Sequence, residues 1–461
     1  MIEAAKKFVT KINVAYKKYT MNLEEFFEKV YSIMDIPNIS LFEALESLKK
    51  NGISQCDPKM ISIIIEQRLS THFDTVECFK CGKKAHFNKT TNINITTTFG
   101  NISFKSPYYS CSKCSISFNP YAKVLGLRDG KYQYDFQKVV SKISSSIPFA
   151  ETAEILNDIY GTNISTDAVH QMTSEFGEHV SIEEVVPTAK VVQDIIDEIS
   201  FGKSRRPVLV VTADGAMAPI RTEKGLPQCW KENKGVRFYL LDGKQIVHLL
   251  SWHQIYTKKD FIKSLQTIKD LGLFSEESVR VCCLGDGAAW IWEGMSTVFP
   301  DARQVLDYYH CSEHLHAFAK VKFSDTPKRD QWVKQTKARL FENKGRAVLA
   351  GLKRMKVEGD AKDARDNLYN YLLKNIDRID YRKAKKGGYP IGSGPIESAN
   401  KFIGHVRLKR SGAWWKVDHA NEILKLRCSR YNGTFDRIFQ KHENENNERI
   451  IPGKPNLTLV K

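Results

Sequence analysis

Two aspartates and a glutamate are the residues of this sequence whose placement could do chemistry. Asp214 stands directly after the apolar run PVLVVTA and Asp286 directly after SVRVCCLG, so each is expected to end a buried strand. In an α/β sheet ligands gather beyond the carboxyl ends of strands, where two acids from neighbouring strands can converge on a hard divalent cation. Each Asp also precedes a Gly, and taken singly each reads as an ordinary turn dipeptide. Taken together, at equivalent ends of two strands, they read as a metal site. Glu397 lies in IGSGPIESANKFIGHV, with Gly394 placed to cap a helix, Pro395 at its first position and Glu397 in its first turn. An acid there complements the helix dipole; beside Asp214 and Asp286 it would complete a two-metal centre holding Mg²⁺ or Mn²⁺. Two ions about 4 Å apart activate a water or a 3′-hydroxyl and stabilise a leaving oxygen. That is phosphodiester chemistry.

The surroundings of Glu397 suit the same substrate. The segment that follows it carries Lys401, Arg407, Lys409 and Arg410 for phosphates, and Trp414 and Trp415 offer flat faces for unpaired bases. The whole chain has a formal net charge of +17, which favours a polyanionic partner because binding releases counterions. A second metal chemistry is written in Cys78, Cys81, Cys111 and Cys114, two C-x₂-C pairs separated by a β-rich stretch. Thiolates at that spacing reach one tetrahedral Zn²⁺ in a closed, structural site, the alternative being four unrelated reduced thiols. Cys56, Cys229, Cys282, Cys283 and Cys428 are scattered and read as packing residues.

These residues need elements to position them. At 461 residues, 42% hydrophobic and 27% charged, the chain has the profile of a folded protein of two to four structural units and not of a disordered one. Residues 1–75 read as a helical region broken at Gly52 and Pro58, and 76–127 as a zinc ribbon. Residues 128–180 hold three helical stretches, the third capped by Ser165 or Thr166; they fit a helix-turn-helix that binds DNA, or a plain three-helix connector. A charged linker is expected over 181–205. From 206 to 433 the order is strand, strand, strand, helix, strand, helix, strand, which matches an RNase H-like fold, an α/β mixed sheet, with a helical insertion over about 311–385. The tail, 434–461, is polar and expected to be poorly ordered. No signal peptide and no run of about 18 apolar residues is read, so the expectation is a cytoplasmic, nucleoid-associated protein with no membrane partner.

The runs VTADGAMAP, LGDGAAWIW, FPDARQVLDYYHCSEHL and YPIGSGPIESANK, followed by LKRSGAWW, resemble the DDE transposases of bacterial and archaeal insertion sequences. The nearest groups are the Kra-type and Lre-type elements, distant relatives of the Mutator-like superfamily, and the resemblance covers roughly residues 76–433. It implies a catalytic triad of Asp214, Asp286 and Glu397, DNA cutting and joining at element ends bearing terminal inverted repeats, insertion into target DNA, and at least a homodimer. It also implies a Cys or Asp followed, after two intervening residues, by a His; Cys311 and His314 match, while Asp307 and His310 have the same spacing, so the register stays open. Cys311 and His314 read equally as a buried thiol and a helix-surface imidazole. Two other functions fit the same motifs: a transposase-derived regulator that binds DNA without catalysis, and an RNase H-fold nuclease or resolvase that cuts without joining.

Overall fold

The computed structural model describes residues 23–53, 56–69, 73–223, 226–243 and 245–446. It is a mixed α/β structure with two sheets, and the chain divides into two compact units. One comprises Met1–Ser144, Phe149–Thr173 and Phe439–Lys461; the other comprises Ser145–Pro148 and Ser174–Ile438. Among the described residues no helix is long and apolar enough to cross a membrane.

The first unit begins with helices Leu23–Met34, Leu41–Lys50 and Pro58–Arg68. Ser40 and Glu43 close a capping box at the second, and Asp57 caps the third with Pro58 as its first residue. Strands β1 (Thr75–Glu77), β2 (Lys84–Thr97), β3 (Gly100–Cys111) and β4 (Ile116–Phe118) follow as one antiparallel sheet in chain order. This sheet has no private core. Val76, Ile95, Phe104, Tyr109 and Cys111 are buried in the same cluster as Val30, Met34, Leu45, Leu48, Ile61 and Ile65 of the helices. Fifty-odd residues enclose too little apolar surface to stand alone, so helices and sheet share one interior. Helices Tyr134–Ser144 and Phe149–Tyr160 and the start of Thr166–Glu178 then pack around Phe136, Val140, Leu156, Val169 and Met172. Ser165 caps the third by accepting from the Ala168 N–H at 3.2 Å.

The second unit is built on β5 (Val208–Ile220), β6 (Cys229–Asp242), β7 (Gln245–Ile255), β8 (Arg280–Gly285) and β9 (Arg303–Leu306). Their order is β7-β6-β5-β8-β9, with β5, β6 and β7 antiparallel and β5, β8 and β9 parallel. Helices Lys258–Asp270 and Ala289–Val298 make the two connections that a change to parallel pairing requires. Val208–Val211 and Cys282–Leu284 are buried throughout, as continuous apolar runs covered on both faces should be. Between β9 and the short helix Gly394–Ala399 the chain makes an all-helical excursion: Tyr308–Lys322, Thr326–Phe341, Gly345–Arg354, Asp360–Lys374, Ile376–Arg378 and Tyr381–Lys386. It starts three residues earlier than expected because Asp307 caps its first helix, accepting from the His310 N–H at 2.7 Å.

Two stretches expected to lack regular structure are helices. Within the expected linker, Ala189–Ser200 buries Val192, Ile196 and Ile199 at helical spacing. In the expected polar tail, Phe435–Asn446 buries Phe435, Ile438, Phe439 and His442; residues 447–461 lie outside the described residues. The apolar stripe there is narrow and was hidden by the Asn- and Glu-rich composition around it. Phe439 is fully buried, its ring 5.8 Å from that of Phe42. Phe439→Ala should therefore cost about 3–5 kcal/mol, read as a lowered urea midpoint; a midpoint equal to wild type would show that this helix contributes nothing to the core.

Candidate active site and a four-cysteine centre

Asp214 owes its position to two strands of unequal length. β5 pairs with β6 as far as Ile220, but its parallel pairing with β8 ends at Thr212 and Leu284. Asp214 stands just past that last pair, inside β5 and not at its end, so the expectation that both acids end strands is corrected for this one. The Asp214–Gly215 dipeptide is extended strand and not a turn. Asp286 follows β8 directly and does form a turn. Its Oδ1 accepts from the Ala288 N–H at 2.9 Å, and Gly287 takes a φ of +106°, where a Cβ would lie 2.8 Å from the Tyr371 ring. Tyr371 donates its hydroxyl to the Asp286 carbonyl at 2.9 Å.

Glu397 arrives from the far side of the helical excursion, in the first turn of Gly394–Ala399. Ser393, and not Gly394, is the cap position. The Ser393 hydroxyl donates to Glu397 Oε1 at 3.2 Å, and its backbone N–H donates to the fully buried Asp307 carboxylate. His310 Nε2 lies 3.8 Å from Glu397 Oε1, and its Nδ1 lies 3.2 Å from Glu313 Oε2. On the other side Asn400 donates from Nδ2 to Asp214 Oδ2 at 2.7 Å.

The charges confirm that these groups sense one another. Burial and the nearby charge of Asp286 push the Asp214 carboxyl up to about 6, against the Gly215 N–H, His310 and Asn400, which favour the carboxylate. Burial alone would lower His310, but Asp307, Glu313, Asp286 and Asp214 together hold its imidazole above the ordinary value. The site is thus a cluster of carboxylates around an imidazole whose protonated form they favour. The two registers lie in different surroundings. Asp307 and His310 lie near the carboxylates; Cys311 is buried, with burial pushing its thiol up to about 11, and His314, which also senses the charge of Asp286, stacks on Tyr371 with ring centres 3.9 Å apart. Asp307 enters the sequence reading only as one register of the acid–histidine motif; Asn400 lies inside YPIGSGPIESANK with no role read for it, and Tyr371, which lies in no motif, is missed.

The remaining basic and aromatic candidates divide. Lys401, Lys409 and Arg410 are exposed, and Trp414 is half-buried with its ring edge-on to the exposed Trp230 at 6.1 Å. Arg407 and Trp415 are buried at 3% and 8% exposure, the guanidinium 4.6 Å above the indole, and Trp415 Nε1 donates to the Leu408 carbonyl at 3.2 Å. The Trp415 backbone also bonds Pro219 and Arg221. That pair anchors its segment to β5, and its burial leaves neither side chain the exposed surface that the expected DNA contact needs. Helices Phe149–Tyr160 and Thr166–Glu178 hold no Lys or Arg, and their exposed positions include Glu151, Glu154, Asp158, Asp167 and Glu178. An acidic face opposes a polyanion.

Among the described residues, one group of potential ligands closes on itself, with donor atoms all within 4.8 Å of one another: Cys78, Cys81, Cys111 and Cys114. Asp214, Asp286 and Glu397 do not close on one another to that distance. Cys78 follows β1, Cys111 ends β3, and Gly82 and Ser115, each one residue after the second cysteine of its pair, take φ values of +67° and +54°. Those left-handed residues turn each chain back under its sulfurs, and Cys81 and Cys111 come to 3.7 Å. Four thiolates so placed could hold one Zn²⁺.

Comparison with known proteins places the chain. The model of the uncharacterised protein family UPF0236 matches residues 38–445. The chain belongs to that family. One relative is the Streptococcus gallolyticus "UPF0236 protein in vanSb 3'region", 23% identical over 367 residues, covering 75% of this chain and 74% of that one. Among solved structures, the Drosophila P element transposase strand transfer complex aligns over 68% of this UPF0236 chain and 82% of its own, at 10% identity and a TM-score of 0.24. A likeness that loose carries no argument.

Two measurements test the site as described. Metal analysis of the purified chain should find one zinc, lost in the Cys78→Ser, Cys111→Ser double variant together with thermal stability; a wild type without zinc would leave the cysteines as ordinary thiols. The second concerns Asp214. Its folded carboxyl titrates at about 6, above the ~3.9 of an unfolded chain, so the folded state binds the proton more tightly. Stability is then full below about pH 4 and falls as pH rises through 6. Asp214→Asn should stabilise the metal-free chain above pH 6 by up to about 2 kcal/mol, with the gain vanishing below pH 4; a pH-independent effect would contradict this.

Proposed function

We propose that this chain is a DNA transposase that cuts and joins strands at an active site formed by Asp214, Asp286 and Glu397. The observation that carries the reading is the meeting of the three acids around His310 where β5 outruns β8, although Glu397 is separated from the strands by the whole helical excursion. The strand order, with the excursion after the fifth strand, supports taking the second unit as RNase H-like. The four-cysteine sheet supports a zinc ribbon in the first unit.

The residues fit divalent cations. Burial and like charge make the Asp214 carboxylate costly by itself, and Asp214, Asp286 and Glu397 would hold Mg²⁺ or Mn²⁺. Bound ions supply activation of a water or 3′-hydroxyl and stabilisation of the leaving oxygen. The chain's own groups do the rest. His310 sets its imidazole Nε2 beside Glu397 Oε1, Tyr371 fixes the backbone of Asp286, and Ser393 fixes Glu397. Exposed Lys401, Lys409 and Arg410 meet the phosphodiester backbone, and Trp414 with Trp230 offers ring faces to unpaired bases. The protein acts on element ends and target DNA as at least a dimer. The acidic exposed faces of Phe149–Tyr160 and Thr166–Glu178 favour placing DNA contact elsewhere than on those helices.

Asp214→Asn, Asp286→Asn and Glu397→Gln keep side-chain size while removing a ligand charge. Loss of an outer partner alone costs ~10–100-fold at a metal centre, so each should lower Mg²⁺- or Mn²⁺-dependent cleavage of labelled element ends by more than ~100-fold while leaving DNA retention on a gel intact. A target plasmid in the same assay reports joining. Cutting without joining would convert the reading to a nuclease or resolvase, and binding without cutting by the wild type would convert it to a regulator.

A further inference from the structure

Asp214 and Gly235 are direct partners across the antiparallel β5/β6 pair, so their side-chain positions project from the same face of the sheet. Gly235 leaves that position empty. A Cβ there would lie 2.3 Å from the His253 ring, a distance real side chains do not show, and 3.0 Å from Asn400 Oδ1, a tight contact. The space is filled by the His253 ring and, at its edge, by the Asn400 amide, which is 3% exposed and reaches Asp214 Oδ2 at 2.7 Å. The other oxygen, Oδ1, accepts from the Gly215 N–H at 2.8 Å. One N–H thus holds each oxygen of the carboxylate, which fixes its rotation and leaves a lone pair on each oxygen for a ligand.

Asn400 is presented by an unusual backbone. It opens the π-helical turn Asn400–His405, which continues directly from Gly394–Ala399, and it stands three residues after Glu397. Residues three apart in a helix share a face, so one rigid element carries both Glu397 and the amide that orients Asp214. Asn400 Oδ1 has no hydrogen-bond partner, and neither polar atom of the buried Asn233 nor either ring nitrogen of the buried His253 has one. Such a polar interior, costly unless satisfied, is retained behind the carboxylate.

We propose that Asn400 is the positioning residue of the carboxylate mouth: admitted by the missing side chain at Gly235, its amide sets the orientation in which Asp214 meets a divalent cation. The proposal rests on the reading of Asp214 as a metal ligand. It is tested on the full-length chain by Mn²⁺ titration, counting free ion by electron paramagnetic resonance, alongside the thermal midpoint. Asn400→Leu keeps the volume and Asn400→Ala does not, but both remove the donor; each should weaken Mn²⁺ binding ~10–100-fold, the loss typical of an outer-shell partner. Gly235→Ala, which would push first on the His253 ring and then on the amide behind Asp214, should do the same. In an Asp214→Asn background Asn400→Leu should weaken binding no further, because the two act as one unit. Wild-type Mn²⁺ affinity in both Asn400 variants, whatever their thermal midpoints, would overturn the proposal and leave Asn400 a packing residue. Equal Mn²⁺ binding by wild type and Asp214→Asn would instead overturn the metal reading of Asp214, and the proposal with it.

Discussion

Carboxylates do not gather in a half-buried mouth unless something opposes their repulsion, and the architecture of the second unit follows from that constraint. Two like charges about 4 Å apart cost about 4 kcal/mol at the effective dielectric of a protein surface. Asp214, Asp286, Asp307, Glu313 and Glu397 all bear on His310 or on one another. Each acid that the sheet brings in meets a donor: the Gly215 N–H and Asn400 for Asp214, the Ala288 N–H for Asp286, Ser393 for Glu397, and the Ser393 and His310 N–H groups for Asp307. His310 sits among them, and their charges favour its protonated form. The donors come from a strand, two helix starts and a loop, so the mouth exists only in the folded chain.

The helical excursion would seem to work against such a site, since it separates Glu397 from the strands by a long stretch of chain. Its stem resolves the conflict. Asp307 and Ser393, 86 residues apart, are hydrogen-bonded to each other, and the Tyr308 N–H donates to the Ile391 carbonyl at 2.8 Å. The chain therefore leaves and re-enters the sheet at one pinned point. The entropy of closing a loop grows only slowly with its length, and the helices between the two ends have their own buried positions, Leu315, Phe318, Val333, Leu340, Leu368 and Leu372. Length inserted there does not loosen Glu397. Tyr371 couples the excursion back to the site by its bond to Asp286, so the helices contribute to the mouth they interrupt.

What was legible in the sequence was what depends on local pattern. The continuous apolar runs before Asp214 and Asp286 marked β5 and β8, and the order of strands and helices through β9 is as expected. The cysteine spacing pointed to the one closed ligand group among the described residues. Illegible were features set by the pairing of distant strands. That Asp214 lies within β5 depends on where β8 stops, which no property of VTADGAMAP records. Asn400 and Gly235 matter only because β6 places Gly235 opposite Asp214. Arg407 and Trp415 looked like surface chemistry because Arg and Trp so often are; their stacking on each other under β5 is a tertiary fact. The terminal helix was missed for a different reason: a stripe of Phe435, Ile438 and Phe439 is diluted by polar neighbours until composition hides it.

The distribution of charge constrains what the mouth can meet. A net charge of +17 is large, yet helices Phe149–Tyr160 and Thr166–Glu178 carry none of the cations. In the second unit, by contrast, the excursion exposes Lys328, Lys334, Arg339, Lys344, Arg346, Lys353 and Arg354, and the segment after Glu397 exposes Lys401, Lys409 and Arg410. Those exposed basic side chains lie on both flanks of Glu397 in the chain, in the same unit as the carboxylates. Exposed charges act over roughly 10 Å at ordinary salt, far enough to collect a phosphate backbone yet too short to neutralise the carboxylates themselves. What positions those acids is closer at hand: the buried Asp307 accepts from the Ser393 N–H beside Glu397, and the buried Asn400 donates to Asp214.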